Sequence, residues 1–304
     1  MIKKMITPPA LKKGDRVAVV APAGFVNKDD IEKAIAIIES WGLKVSRGEH
    51  LYGQHGIFAG DDSQRLYDLQ EALDDPGIKA VICARGGYGM SRIIDHIDFR
   101  AFSLDPKWIV GYSDITVLHL FVNCNTGVST VHGEMPLNYH KNNAASVSLD
   151  TLRKVLFQGT RDYDWETAPM REGQAEGMLT GGNLSLITNL MGTGIKDCLR
   201  GKILFIEECD EYIYAFDRMI RGLSLAGILK DIKGLIIGGL TDMKESEVKY
   251  STDIRDIVMD NVRDYSYPLA FGFPAGHIND NRALVLGAGV SFKVSGSIAS
   301  LKYG

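Results

Sequence analysis

Trp108-Ile109-Val110-Gly111-Tyr112-Ser113-Asp114-Ile115-Thr116 carries a short apolar run straight into a helical pattern. The run is apolar without alternation, as expected of a strand buried on both faces. From Asp114 to Asn123 the apolar residues Ile115, Val117, Leu118, Leu120, Phe121 and Val122 follow helical spacing. A serine at such a junction has two meanings. As a helix N-cap its oxygen accepts a backbone N–H, a purely structural task. As a nucleophile it stands on a tight turn, with a helix N-terminus behind it that favours developing negative charge. The junction alone fits both.

Working outward, the same alternation repeats. Strands are expected from 16, entering a turn by 24, and at 43–46, 79–85, 107–112 and 128–132, separated by helices at 28–41, from a cap at 60–62 through 73, at 91–97 and at 114–123. Short apolar strands alternating with helices predict an α/β protein with an open, mostly parallel sheet flanked by helices. A further helix is expected at 144–158. Residues 161–175 are polar and unperiodic and read as a linker. The expected organisation is an N-terminal domain at 1–160 and a second, C-terminal α/β domain at 176–304, with the active site between them. In the second half, Gly181-Gly182-Asn183 reads as a turn, Lys202–Ile206 as a strand ending at Glu207-Glu208, and Leu269–Phe273 as a strand ending near His277. Val290–Val294 and Ile298–Lys302 read as a terminal hairpin.

A length of 304 residues suits two domains, and 45% hydrophobic with 24% charged residues is the mix of a soluble globular protein. A net charge of −4 gives no general attraction to nucleic acid or anionic membrane; the basic pairs Lys3-Lys4 and Lys12-Lys13 are the longest cationic cluster. The opening MIKKMITPP has no apolar core of a signal peptide, and the run 17–22 is far too short to span a bilayer. Cys83, Cys124, Cys198 and Cys209 show no C-x-x-C spacing and read as small apolar residues in a reducing compartment. These features predict a cytoplasmic protein.

Ligand sites in open α/β sheets lie beyond the carboxyl ends of strands. Here those ends carry Gly86-Gly87, Ser113, Glu207-Glu208 and, further on, His277. A serine hydroxyl needs a base to become a nucleophile, and His277 can take its proton. Glu207 can hold the imidazole tautomer, and the N–H groups of Gly87 and Asp114 can stabilise an oxyanion. If extended, Glu207 and Glu208 point to opposite faces, which argues against a carboxylate dyad. The plainer readings stand beside these: a solvated carboxylate, a loop histidine, a capping serine. His50, His55, His96, His119, His132 and His140 read as structural or exposed. Other motifs are incomplete. Ile115 stands where G-x-S-x-G requires its last glycine, and Gly86–Gly89 fits neither dinucleotide nor Walker patterns. His132-Gly133-Glu134 lacks the i, i+4 spacing of a zinc helix, so no metal is expected.

Seven segments occur in order: GDRVAVVAPA (14–23), FAGDDSQR (58–65), ARGGYG (84–89), GYSDIT (111–116), GGNL (181–184), ILFIE (203–207) and GFPAGH (272–277). Together they resemble the LD-carboxypeptidase family of serine peptidases, which also contains the microcin C self-immunity peptidases. The resemblance covers nearly the whole chain. It implies Ser113 as nucleophile, Glu207 as orienting carboxylate, His277 as base, and Gly87 and Asp114 as oxyanion-hole amides. It implies a homodimer, no cofactor, and a muropeptide substrate that loses its terminal D-alanine during cell-wall recycling.

Three other readings compete. A microcin-immunity-type peptidase would cleave a peptidyl- or aminoacyl-nucleotide amide, and Trp165 is the candidate platform for the base. A non-catalytic cleft protein would bind wall fragments without turnover. A Rossmann-type enzyme would bind a nucleotide tightly.

Overall fold

The computed structural model describes residues 5–142, 146–159, 162–168 and 170–304. Thirteen strands follow one another along these residues: β1 Arg16–Val20, β2 Lys44–Arg47, β3 Ile78–Cys83, β4 Trp108–Gly111, β5 Thr130–His132, β6 Tyr163–Glu166, β7 Gly173–Asn183, β8 Ile203–Cys209, β9 Gly234–Thr241, β10 Leu269–Ala270, β11 Leu284–Leu286, β12 Gly289–Ser295 and β13 Ile298–Tyr303. The chain forms two compact units, Met1–Arg161 with Asn279–Ala288, and Asp162–Ile278 with Gly289–Gly304.

The first unit holds a six-stranded sheet in the order β11-β5-β4-β3-β1-β2. Its strands β2, β1, β3, β4 and β5 are all parallel, and β11 closes the edge antiparallel to β5. Strand β4 is wholly buried, which is why its sequence shows no alternation. Helices flank the sheet, and their caps follow local chemistry. Asn27 caps helix Lys28–Ser40, and Asp61 with Gln64 forms a full capping box on helix Asp62–Asp74. The sheet order turns back between β1 and β3, a switch point where the loops after the two strands face a common crevice. They meet directly: the Gly24 N–H donates to the Gly86 carbonyl at 3.0 Å.

The second unit holds a seven-stranded mixed sheet, β10-β9-β8-β7-β12-β13-β6. Strands β7 to β10 run parallel, while β12, β13 and β6 add an antiparallel meander.

Several expectations need correction. Residues 161–175 are not a featureless linker: Tyr163 and Trp165 alternate with Asp164 and Glu166, and that short period-two pattern makes β6 an edge strand on β13. Residues 160, 161 and 169 lie outside the described residues. The C-terminal half is not continuous to 304, because Asn279–Ala288 belongs to the first unit through β11. Three residues are too few to announce such a return. Gly181-Gly182-Asn183 is not a turn but the end of β7, paired with Phe205, Ile206 and Glu207. A Cβ on Gly181 would sit 1.8 Å from the Phe205 carbonyl oxygen, so glycine is there for close approach of two strands. The helix expected from 144 is described from Val147, capped by Ser146, and its expected start at 144–145 lies outside the described residues.

Candidate active site

Ser113 does not cap a helix. The flanking residue of the 3-10 turn Ser113–Ile115 is Tyr112, and the turn carries no side-chain cap. Ser113 itself has φ 61°, one of three non-glycine residues with positive φ among those described, beside Asp210 and Asp242. A left-handed serine costs about 1 kcal/mol, and such strain clusters where the fold presents a reactive group. Two glycines make the turn feasible. A Cβ on Gly111 would lie 2.9 Å from both γ-carbons of Ile115, and one on Gly86 would lie 2.8 Å from Ser113 Cβ and 3.0 Å from its Oγ. The end of β4 is anchored by His119, whose Nε2 lies 2.8 Å from the Gly111 carbonyl oxygen. Burial pushes the His119 pKa down to about 4, against the pull of that carbonyl, so the ring is neutral and donates. His119 is thus structural.

Beside Ser113 runs the loop 86–89. Gly87 is exposed with φ +102°, and Gly89 has φ +149°. Arg65, buried on the helix Asp62–Asp74, donates to the Gly89 carbonyl at 3.0 Å and the Pro22 carbonyl at 2.6 Å, and pairs with Asp62. Asp114 is fully buried, and its Oδ2 accepts the Met90 N–H at 2.8 Å. Burial raises the Asp114 pKa to about 6, although the Met90 and Gly89 N–H groups and Arg65 oppose the rise.

In the second unit, Glu207 and His277 come together. Glu207 is fully buried, and its Oε2 accepts from His277 Nδ1 at 2.7 Å and from the His277 backbone N–H at 3.2 Å. Gly276, with φ +112°, makes this approach feasible, because a Cβ there would lie 2.7 Å from Glu207 Oε2. The loop is pinned by Thr241, whose hydroxyl donates to the His277 carbonyl at 3.0 Å, and by the Gly239 N–H on the Ala275 carbonyl at 2.8 Å. Burial pulls the His277 pKa down, but the Cys209 side chain and the Glu207 carboxylate outweigh it, and the net shift is upward. Glu208 points to the other face, as strand geometry requires. It accepts from Asn183 Nδ2 at 2.9 Å, from the Cys209 N–H at 2.9 Å and from the Ser185 N–H at 2.8 Å. Glu207, not its neighbour, is therefore the imidazole's partner.

Gly86, Gly276, Cys209 and Arg65 are the contributors that residue-by-residue sequence reasoning did not assign. Each lies within or beside a quoted motif, but only the fold shows what each touches. Among the described residues no group of three or more His, Cys, Asp or Glu side chains is placed to hold a metal ion. No helix among them is long and apolar enough to cross a membrane.

A strained serine beside a glycine loop in one α/β unit, and a carboxylate–imidazole pair in another, are the parts of a serine hydrolase. The family models for the LD-carboxypeptidase N-terminal and C-terminal domains match residues 17–133 and 176–292, and the chain belongs to the LD-carboxypeptidase family. It is a carboxypeptidase of that family. It is 37% identical to a Bacillus subtilis (strain 168) protein called "Probable murein peptide carboxypeptidase", over 98% of this chain and 94% of that one. The muramoyltetrapeptide carboxypeptidase from Oxalobacter formigenes is 28% identical with a TM-score of 0.87, covering 95% of this chain and 98% of that one. An MccF-like protein from Bacillus anthracis str. Ames shares the fold at a TM-score of 0.85 and 24% identity, over 98% and 100% of the two chains.

Proposed function

We propose that the chain hydrolyses the L,D bond of murein tetrapeptide and releases terminal D-alanine. Ser113 is the nucleophile, His277 the base, Glu207 the orienting carboxylate, and the amides of Gly87 and Asp114 are the oxyanion donors. The observation that carries this reading is the 2.7 Å contact of buried Glu207 on Nδ1 of His277. It commits Nδ1 to donation and leaves Nε2 to exchange protons. The reading requires that His277 reach Ser113 during turnover. His277 takes the hydroxyl proton as Ser113 Oγ attacks the carbonyl carbon of the L-centre. It returns that proton to the leaving amine of D-alanine, and then activates water to hydrolyse the acyl-serine. These steps call on no metal or organic cofactor.

Names of relatives support the substrate: one is called a murein peptide carboxypeptidase and another a muramoyltetrapeptide carboxypeptidase. A cytoplasmic place in wall recycling fits the four free cysteines, and a homodimer is the assembly we expect. The nucleotide-peptide alternative loses its sequence support. Trp165 is buried, donates from its indole nitrogen to the Phe271 carbonyl at 3.0 Å and packs on Phe273 and Phe292, so it offers no face to a base.

The test is D-alanine release from tetrapeptide by wild type and Ser113→Ala. Loss of the nucleophile is expected to lower kcat about 10⁵- to 10⁶-fold with the fold intact. Wild-type turnover by the variant would overturn the assignment of Ser113. A larger kcat/KM on a peptidyl-nucleotide than on tetrapeptide would overturn the substrate class and leave the serine chemistry standing.

A further inference from the structure

The Asp114 side chain is left unused by the mechanism above, which calls only on its backbone N–H. We propose that its carboxylate is a positioning group, fixing the loop that presents the Gly87 amide relative to Ser113. The proposal rests on reading Ser113 as the nucleophile.

The loop 86–89 is held at both ends. Its Gly86 carbonyl accepts from Gly24 at 3.0 Å, and its Gly89 carbonyl accepts from Arg65 at 3.0 Å. In a trans peptide the C=O and the following N–H point opposite ways, so the Gly87 N–H points away from Gly24. A further tether is the Met90 N–H on Asp114 Oδ2 at 2.8 Å, and the Gly89 N–H also acts on this carboxylate. That tether joins the loop to the residue next to Ser113, whose own N–H is the second oxyanion donor. One side chain thereby sets the spacing of both amides and the nucleophile.

A charged acceptor holds a backbone N–H about twice as strongly as a neutral one. The fold alone gives no reason to bury one here. Asp114 Oδ1 is buried with no hydrogen-bond partner among the described residues. A carboxylate in that state raises the free energy of the fold, and a neutral side chain would fill the same space without that cost. The charged and titratable groups that act on it are Arg65, which favours the ionised form, and the buried Cys83 thiol, itself pushed up by burial and by Asp114. Neither supplies a direct side-chain partner. The placement makes sense if a firm loop matters more than stability, as expected where preorganised donors stabilise a developing oxyanion.

The experiment compares Asp114→Ala and Asp114→Asn with wild type. It measures kcat and KM for D-alanine release, and the rate at which a fluorophosphonate labels Ser113. Asp114→Ala is expected to lower kcat and the labelling rate together, about 100-fold, with KM within about threefold. Asp114→Asn keeps an oxygen toward Met90 and should recover to within about threefold to tenfold of wild type. Wild-type labelling of Asp114→Ala, or a loss confined to KM, would overturn the proposal. If Asp114→Ala does not fold, Asp114→Asn decides alone, and a labelling rate equal to wild type would overturn it. If wild-type enzyme is not labelled at Ser113, it is the nucleophile assignment that falls, and the proposal falls with it.

Discussion

Asp114 in the first unit and Glu207 in the second are built alike and used differently. Both are fully buried, both sit near the carboxyl end of a parallel strand, and both keep one oxygen without a partner among the described residues. Their partners differ. Asp114 holds a backbone N–H, which never changes protonation. Glu207 holds an imidazole, which does. On the proposed assignments, the same buried charge stiffens a loop in one unit and tunes a base in the other. Removing the charge should disturb geometry at Asp114 and proton transfer at Glu207.

The largest break in this comparison is expected from Glu207→Gln. An amide can turn its NH₂ toward Nδ1 and so favour the wrong tautomer. A fall in kcat of about 10⁴-fold is expected, with little change in KM. The pH profile should move too. The upward shift of His277 means that it keeps its proton to higher pH, and only the neutral ring is a base. Activity should therefore rise with pH through that raised value. Without the Glu207 charge the rise should occur at lower pH. Loss of activity with an unmoved profile would reduce Glu207 to a packing group.

A middle-sized effect is expected from the two glycines that let these side chains approach. In Gly86→Ala the new Cβ presses on Ser113, and in Gly276→Ala it presses on Glu207. Displacing a reacting group by about 1 Å costs about 100-fold in rate. Gly276→Ala should be the worse of the two, because its φ of +112° also disfavours any side chain. Kinetics with a thermal melt on each variant separates misplacement from unfolding. Wild-type kcat in Gly86→Ala would mean that Ser113 is not held where it works.

How much of this was legible in sequence differs between the units in the same way. The parallel sheet around β4 was readable because each buried strand is a short apolar run between helices with strong caps, such as Asn27 and Asp61. The second sheet was harder. Its β6 is four residues in a polar stretch, and its Gly181-Gly182 mimics a turn while ending a strand. Strand β11 leaves the second half for the first sheet, a long-range pairing with no local signal. Ser113, Glu207 and His277 stood out as candidates because strand ends are where sites form. The positive φ of Ser113, the crowding at Gly86 and Gly276, and the contact of Cys209 with His277 are tertiary facts, invisible in spacing.

The smallest effect on turnover, within about tenfold, is expected from Asp114→Asn, yet its stability should carry a distinct signature. A carboxyl with a higher pKa in the folded than in the unfolded state binds protons more tightly when folded. For Asp114 the two values are about 6 and 3.8. Below about pH 3 the group is protonated in both states and costs nothing. As pH rises toward 6 the unfolded chain ionises first, and the wild-type fold loses stability by about 3 kcal/mol, after which the loss is constant. Asparagine resembles the protonated form at every pH. Melting the two proteins side by side should therefore show equal stability near about pH 3 and a growing advantage for Asp114→Asn up to about pH 7. Every other titrating group is common to both, so it cancels in the difference. A gap that did not change with pH would mean that ionised Asp114 is held at no cost. Asp114 would then be an ordinary structural tie, and its contrast with Glu207 would lie in the partner alone.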